Sequence, residues 1–437
     1  MSANLRKITL ELIRSYEEEG RYVNLLLSTS KVKALSADEK AIVTSLLYTT
    51  VEKKLTYDYF ISAFAKRQIS DVDPYVRDVL RLGLCQIIDM DSVPDFAAVN
   101  ETVKLARHGG ERGFINAILR RAVKEKDNLP YPDKKKNHLR YLSVYHSVPL
   151  ATVKYFASLF GEEECEKLLS AFSSKDGFSI TVNERKISRE ELLRKLADFS
   201  AEKSRYSSNG ISFKKSLPPK TLTGFDTGDF FVQDEASRIA SAALDARTGE
   251  TVIDVCSAPG GKALAAAIRV GDAGEVYAFD LHESKLSLIE ESKKRLGLTN
   301  IKIGTRDATE PDESLFGKAE RVICDVPCSG LGVFAKKPDL RYKDLAALDT
   351  LPPLQYAILE ASSGYLKLGG VLVYSTCTIN PEENEKITDK FISLHPEFTY
   401  EGFSVGELSA SEGKITLLPH KHGTDGFYIA KLRKNND

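Results

Sequence analysis

Hydrophobic residues recur at helical spacing through roughly the first 126 positions of the chain. In residues 1–21 the apolar positions have the spacing of an amphipathic helix: Leu5, Ile8, Leu12 and Tyr16. Ser36 with Glu39 forms a capping box ahead of a second apolar stripe, and Asp73 with Pro74 marks a further helix start. A last stripe comprises Phe114, Ile115, Ile118, Leu119 and Ala122. The pattern predicts a small all-helical bundle.

The pattern becomes mixed after this bundle. Residues 129–136 contain two prolines, an acid and three lysines, which is typical of a linker. A helical pattern covers residues 151–172, and strand-like segments follow at 178–182 and 211–213. We interpret this part of the chain as a small α+β connector.

From about residue 228, apolar strands alternate with helices. Strands are predicted at 251–255, 276–279, 301–304, 321–324 and 371–374, and helices at 261–270, 284–296 and 349–366. Such alternation predicts a doubly wound parallel sheet. We therefore expect an all-α domain at 1–132, a connector at 133–227 and a Rossmann-like α/β domain at 228–437. Ligands of such sheets bind beyond the carboxyl ends of the strands.

Composition and net charge say little about the partners of the whole chain, but the distribution of charge distinguishes one basic region. The 437 residues are 42% hydrophobic and carry a formal net charge of −1, which by itself argues against a nucleic-acid partner. Residues 101–140, however, contain eleven Lys or Arg and five acids. That stretch is compatible either with an RNA footprint or with a solvated helix face followed by a basic linker.

The cysteines and the apolar runs exclude several classes of protein. The six cysteines are scattered and form no CxxC pair, so neither a disulfide scaffold nor a zinc module is indicated. No apolar run approaches the roughly 20 residues that span a bilayer, and the start does not have the pattern of a signal peptide. We expect a cytoplasmic monomer that binds neither membrane nor metal.

The residues after the first three predicted strands are suited to a nucleoside. Residues 254–262 read Asp-Val-Cys-Ser-Ala-Pro-Gly-Gly-Lys, and the glycine pair would let the backbone approach a ligand at a helix start. Asp280 follows the second strand and could accept hydrogen bonds from ribose hydroxyls, while Asp307 follows the third and could meet an adenine amino group. Each acid alone could equally be a helix cap. Together, and without a pyrophosphate-binding motif, they favour S-adenosylmethionine.

Two cysteines follow the fourth and fifth strands. Cys328 lies in Asp-Val-Pro-Cys-Ser-Gly (325–330) and Cys377 in Ser-Thr-Cys-Thr (375–378), whereas Cys324 lies inside an apolar strand and reads as an inert core residue. A thiolate that adds to carbon 6 of cytosine turns the ring into an enamine, whose carbon 5 can attack a methyl sulfonium. An acid near N3 assists, and loss of the carbon-5 proton expels the thiol.

Several segments of the sequence resemble those of a known family. The segments 258–262, 325–330 and 375–377, in this order, resemble the RsmB/Nop/Sun family of RNA cytosine-5 methyltransferases, as do 230–237, 337–339 and 423–432. The matching region covers about 210 residues. Residues 98–101 and 113–120 resemble the NusB-like RNA-binding domain of the bacterial RsmB branch. The resemblance implies 16S ribosomal RNA as the substrate and S-adenosylmethionine as the methyl donor, with no metal.

The resemblance also implies roles for individual residues. Cys377 would be the nucleophile, Cys328 would assist resolution of the adduct near the proton-abstraction step, and Asp325 would contact N3 of the cytosine. Lys262 would orient the cofactor loop or neutralise a carboxylate. The implied S-adenosylmethionine site comprises Cys256, Ser257, Ala258, Pro259, Gly260, Gly261, Lys262, Asp280, Asp307 and Asp325.

Several alternatives stay open at the level of sequence. In DNA cytosine-5 methyltransferases the nucleophile is the cysteine of the Pro-Cys motif, which here is Cys328, and spacing alone does not exclude that assignment. Transfer RNA is an alternative substrate for the same chemistry, and a non-catalytic RNA-binding adaptor is an alternative function. Methylation of an exocyclic nitrogen is disfavoured, because residues 325–328 lack the Pro-Pro-aromatic motif typical of such enzymes.

Overall fold

The computed structural model describes residues 3–173, 177–215 and 217–435, and the chain divides into two compact units. The first unit extends to Ser173 and also includes the segment Lys336–Lys343, and the second contains the rest. The expected three-part division at residues 132 and 227 remains a prediction.

The first unit is helical, as the apolar periodicity predicts. Its helices are α1 (Ala3–Glu19), α2 (Val23–Leu26), α3 (Ser30–Lys33), α4 (Ala37–Glu52), α5 (Lys54–Ala65), α6 (Pro74–Ile88), α7 (Asp95–Val103), α8 (Gly109–Lys124), α9 (His138–Tyr145), α10 (Leu150–Phe160) and α11 (Glu162–Phe172). The predicted helix starts are confirmed. Ser36 Oγ accepts the Glu39 N–H at 3.3 Å and Glu39 Oε2 accepts the Ser36 N–H at 3.0 Å. Asp73 caps α6 by accepting the Val76 N–H at 3.1 Å.

A buried ionic cluster lies among the apolar side chains of this unit. The Arg81 guanidinium, 4% exposed, donates to both carboxylate oxygens of Asp58 at 2.7 Å. It also lies 3.1 Å from Asp78 and 3.2 Å from Glu17. The cluster therefore ties α1, α5 and α6 together through one cation.

The second unit contains two principal sheets. Its strands are β1 (Ser179–Val182), β2 (Ala201–Lys203), β3 (Gly210–Phe213), β4 (Phe230–Val232), β5 (Thr251–Asp254), β6 (Glu275–Asp280), β7 (Ile301–Thr305), β8 (Ala319–Asp325), β9 (Leu366–Thr376), β10 (Phe398–Tyr400), β11 (Phe403–Val405), β12 (Leu408–Ala410), β13 (Lys414–Leu417) and β14 (Phe427–Lys434). Its helices are α12 (Arg189–Lys195), α13 (Glu235–Ala243), α14 (Gly261–Val270), α15 (Glu283–Leu296), α16 (Leu351–Ser363), α17 (Glu385–Leu394) and α18 (Pro419–His422).

The larger sheet contains all five predicted strands. Its order is β10-β14-β9-β8-β5-β6-β7, with β13 paired to β14. The strands β5 to β9 run parallel, whereas β10, β13 and β14 pair antiparallel. The first strand of this sheet along the chain, β5, lies in its interior, with β6 and β7 on one side and β8 and β9 on the other. Because the order reverses beside β5, this edge is where a ligand site is expected. The smaller sheet has the order β2-β3-β1-β4.

Two predicted elements differ from the structure. The predicted helix at 349–366 is wrong at its end, because α16 stops at Ser363 and Leu366 already pairs with Ala319 as the first residue of β9. The helical stretch predicted at 151–172 is divided into α10 and α11 by Gly161, whose φ of +85° a helix does not accommodate. In the part of the chain that is described, no helix combines the length and apolar character needed to cross a membrane.

Candidate active site

Three neighbouring parallel strands bring the predicted catalytic residues to one edge of the sheet. Asp325, the last residue of β8, pairs with Ser375 of β9, and Ser375 Oγ donates to Asp325 Oδ1 at 2.5 Å. On the other side of β8, Asp254 ends β5 in register with Ile323. Cys328 and Cys377 follow β8 and β9 directly. Cys328 and Cys377 are 49 positions apart in the chain but therefore lie together at this edge.

The glycine loop between β5 and α14 is fixed against the end of β6. Ser257 donates through its backbone N–H and its Oγ to the Phe279 carbonyl, at 2.7 and 2.9 Å. The Ala258 N–H donates to Asp280 Oδ2 at 3.1 Å. Gly260 has a φ of +108°, and a Cβ there would lie 3.1 Å from the Ile289 side chain. The backbone therefore needs glycine at this position.

Asp280 and Asp307 both accept backbone hydrogen bonds. The second oxygen of Asp280 accepts the His282 N–H at 3.0 Å. Asp307 Oδ1 accepts from the N–H and the Oγ1 of Thr309, at 2.9 and 2.7 Å, and these bonds lower the pKa of the Asp307 carboxyl. Both bonds use Oδ1, so Asp307 closes a turn with one oxygen. This turn does not begin a helix, since the next helical segment starts at Glu313 and is capped by Asp312.

A buried lysine lies among several carboxylates. Lys262 Nζ, on a side chain 8% exposed, is 2.7 Å from Asp325 Oδ2. Asp254 is 1% exposed, and within the described chain neither of its carboxylate oxygens has a hydrogen-bond partner. Burial, and then the nearby Asp325 carboxylate, raise the pKa of Asp254 to about 8. Lys262 is thus balanced by Asp325, and Asp254 is a buried acid whose oxygens are left for a further hydrogen-bonding partner.

The sulfur atoms of Cys328 and Cys377 are 3.1 Å apart. The hydrogen bond to Cys377, together with burial, raises the pKa of the Cys328 thiol well above its ordinary value. The two thiols share this hydrogen bond, in which either sulfur can be the donor, and burial disfavours a thiolate at Cys328. Cys324 is fully buried, and burial raises the pKa of its thiol, which agrees with its interpretation as an inert core residue. Burial likewise raises the pKa of the half-buried Cys256.

Sequence reasoning missed a buried polar cluster behind the two cysteines. Glu383 is fully buried and its carboxylate accepts from the Ser329 N–H, from Gln355 and from Asn380. Its neighbours Glu382 and Glu385 are acids of the same kind in the same turn, so nothing local distinguishes Glu383. Its position in the loop between the fifth strand and the next helix, at the edge where the cysteines lie, was the available signal.

The described residues contain no group of three or more His, Cys, Asp or Glu side chains arranged to hold a metal ion. The groups gathered at this edge are thiols, carboxylates, hydroxyls and one ammonium. Such groups can supply a nucleophile, proton acceptors and electrostatic contacts.

Two family models match the chain in separate regions. The NusB family matches residues 3–124 and the family described as 16S rRNA methyltransferase RsmB/F matches residues 241–433. The second match contains the glycine loop, both cysteines and Asp325.

Similar proteins cover nearly the whole chain. A protein of Bacillus subtilis (strain 168) called probable ribosomal RNA small subunit methyltransferase B is 35% identical, with 99% of each chain covered. The crystal structure of PH0851 is 27% identical with a TM-score of 0.79, again over 99% of each chain. The crystal structure of NSun6 from Pyrococcus horikoshii with SFG is 26% identical with a TM-score of 0.58, covering 65% of this chain and 98% of that one.

Proposed function

Because the chain belongs to the RsmB/F family of ribosomal RNA small subunit methyltransferases, we propose that it methylates carbon 5 of a cytosine in 16S ribosomal RNA. We further propose that Cys377 forms the covalent bond to the base. The observation that carries this proposal is the pair of sulfur atoms 3.1 Å apart beside Asp325. Methyl transfer to an exocyclic nitrogen needs no such pair.

The first step is nucleophilic addition. The Cys377 sulfur adds to carbon 6 of the cytosine, and the ring electrons move toward N3 and carbon 5. Asp325 donates a proton to N3, where negative charge builds, and the Lys262 ammonium 2.7 Å from Asp325 stabilises the carboxylate that remains. The division of roles between the cysteines is supported by the raised pKa of Cys328, because a thiol that keeps its proton is the weaker nucleophile.

The second step transfers the methyl group and releases the enzyme. S-adenosylmethionine would supply an electrophilic methyl group to carbon 5 of the adduct and leave as S-adenosylhomocysteine. A base then takes the carbon-5 proton, the ring double bond is restored and the Cys377 sulfur leaves as a thiolate. Cys328, whose sulfur lies 3.1 Å from that sulfur in the free protein, assists by donating a hydrogen bond to the departing thiolate.

The methyl donor would bind at the glycine loop. The proposed contacts are the loop residues 256–262, Asp280, Asp307 and Asp325. The fit rests on polar groups and shape: Asp254 is a buried acid without a hydrogen-bond partner in the described chain, Lys262 is paired with Asp325, and Gly260 has a left-handed backbone against Ile289. A structure similar to this chain contains SFG, an analogue of S-adenosylmethionine.

The test is methylation by the full chain with tritiated S-adenosylmethionine and unmodified 16S RNA, followed by nucleoside analysis. We expect label in 5-methylcytosine from wild type and none from Cys377→Ala. The matched control is Cys165→Ala, which removes a buried thiol in the helical unit and should leave the label unchanged.

Other outcomes would redirect or overturn the proposal. Label in transfer RNA but not in 16S RNA would move the substrate while leaving the chemistry. Label in a nucleoside other than 5-methylcytosine would contradict the chemistry. No label in either RNA would favour a non-catalytic adaptor.

A further inference from the structure

The Glu383 carboxylate is a buried anion that binds three hydrogen-bond donors. Oε2 accepts from the Ser329 N–H at 2.8 Å and from Gln355 Nε2 at 2.9 Å, and Oε1 accepts from Asn380 Nδ2 at 2.9 Å. The side chain is 0% exposed. Within the described chain, no Lys, Arg or His nitrogen lies within ion-pair distance of it. A buried carboxylate without a cation is costly unless donors surround it, so a function is expected for it.

The donors hold the loop on both sides of Cys328. Gln355 Nε2, which binds Glu383, also donates to the Pro327 carbonyl at 2.9 Å. The Ser329 N–H binds Glu383 itself. The peptide groups immediately before and after Cys328 are therefore fixed by one amide and one carboxylate.

The same cluster reaches the Cys377 loop. Ser329 Oγ and Thr378 Oγ1 are 2.7 Å apart, and the Asn380 N–H donates to Thr378 Oγ1 at 3.2 Å. The Gly332 N–H donates to the Cys377 carbonyl at 3.1 Å. Movement of Glu383 would therefore disturb the sulfur–sulfur contact from both sides.

We propose that Glu383 is a positioning residue that fixes the Cys328 loop and keeps the proton shared by the two thiols on Cys328. Cys377 is then the sulfur available for attack on the base. This inference rests on the proposed function for its chemical meaning, although its thiol readout is independent of methyl transfer.

Charge supports the geometric argument. The hydrogen bond to Cys377 and burial are the main causes that raise the pKa of Cys328, and the negative charge of Glu383 adds to them. Tyr374 also lies near Cys328: its hydroxyl donates to the Glu383 carbonyl at 2.6 Å, and burial, then Cys324 and Cys328, raise its pKa. Asp325, three positions before Cys328, is ion-paired with Lys262. Removal of the Glu383 charge should make ionisation of Cys328 easier.

The experiment compares Glu383→Gln with Glu382→Gln in the full chain. Glu382 is the neighbouring acid, about half-exposed and paired with Lys386, so it is a matched control outside the buried cluster. Each protein is treated with iodoacetamide across pH 6–10, and alkylation of Cys328 and Cys377 is quantified separately by peptide mass spectrometry. Methyl transfer is measured over the same pH range.

We expect Glu383→Gln to increase the alkylation rate of Cys328 relative to Cys377 by about tenfold and to shift the Cys328 profile to lower pH. We also expect kcat to fall at least tenfold, with the KM for S-adenosylmethionine within about twofold of wild type. Glu383→Asp, which keeps the charge, should restore the thiol ratio at least in part. An unchanged thiol ratio and pH profile in folded Glu383→Gln would overturn the proposal, even if activity falls.

A second variant covers the case in which Glu383→Gln does not fold. Gln355→Met removes the amide that joins Pro327 to Glu383 and retains the carboxylate. We expect Cys328 alkylation to rise about threefold with little pH shift, since the loop loosens while the charge stays. Unchanged alkylation of Cys328 in Gln355→Met would contradict the proposal that these hydrogen bonds fix the Cys328 loop. If wild type makes no 5-methylcytosine while the thiol pattern still depends on Glu383, the proposed function fails and the positioning role stands.

Discussion

The helix starts of the first unit and the carboxyl edge of the large sheet depend on polar contacts of different range. The capping box of α4 joins residues three positions apart, and Asp73 caps α6 over the same interval. At the sheet edge, Lys262 binds a partner 63 positions away, and the two cysteines are separated by 49 positions. Local contacts stabilise individual helices, whereas the long-range ones determine the arrangement of the reacting groups.

This comparison predicts separable effects of mutation. A change in the helical unit should lower stability and leave the chemistry of folded protein unchanged. A change at the sheet edge should alter the chemistry more than the fold.

Arg81→Met should cause the largest loss of stability. The substitution leaves Asp58, Asp78 and Glu17 without their shared cation in a mostly buried site. Breaking a buried ion pair from one side typically costs about 3–5 kcal/mol. Thermal unfolding should show a lowered Tm, and the exposed Lys31→Met, which breaks only a surface pair with Glu11, should lower it by a few degrees at most. Similar Tm values for the two variants would contradict the assigned role of the cluster.

Lys262→Met should impair catalysis more than folding. Asp325 would lose its ammonium partner, so the carboxylate beside the reacting base would be unbalanced. We expect kcat/KM for methyl transfer to fall by about 100-fold, which corresponds to about 2.7 kcal/mol. Arg321→Met is the control, because that ion pair with Glu250 lies on β8 away from its carboxyl end. An equal loss of activity in both variants would mean that Lys262 acts through the fold.

Asp254→Asn should stabilise the protein in a pH-dependent way. The folded pKa of about 8 exceeds the ordinary value of 3.8. The wild-type carboxyl therefore contributes stability that is fully present below about pH 3.8 and is lost as the pH rises to about 8. The variant lacks this dependence, so its advantage should grow as the pH rises toward 8, by on the order of 2 kcal/mol between pH 5 and pH 6.5.

Chemical denaturation at several pH values measures this difference. Asp307→Asn is the opposite control, because the pKa of Asp307 is lowered and its ionised form is the stabilising one above the ordinary value. Its stability relative to wild type should therefore decrease as pH rises through the acid range. A constant difference for Asp254→Asn at all pH values would contradict the raised pKa.

Ser36→Ala should have the smallest effect. It removes the capping box at the start of α4, in an exposed position. Loss of such a cap costs about 1 kcal/mol. Urea unfolding should detect this loss, while methyl transfer by the folded variant stays at the wild-type level.

The same difference in range explains what the sequence could predict. Caps at Ser36 and Asp73 depend on neighbouring residues, and both predicted helix starts are found. The parallel strands have continuous apolar segments, and residues at their carboxyl ends necessarily meet at one edge. For this reason Cys328, Cys377 and Asp325 could be selected before the structure was known.

Other features depend on partners that the sequence does not identify. The helix predicted to continue to residue 366 stops earlier because Leu366 pairs with Ala319, 47 positions before it in the chain. The antiparallel strands β10 and β14 were missed for the same reason. Glu383 looks like a surface acid until Ser329, Gln355 and Asn380 surround it.

The proposal that Cys377 is the nucleophile is tested most directly by identifying the cysteine that becomes bonded to RNA. Cys328→Ala and Cys377→Ala are each incubated with 16S RNA and S-adenosylmethionine, and denaturation-resistant protein–RNA complexes are mapped by mass spectrometry after nuclease digestion. We expect Cys328→Ala to accumulate a cytosine adduct on Cys377 and Cys377→Ala to form none. An adduct on Cys328 in Cys377→Ala, with none in Cys328→Ala, would contradict the proposal.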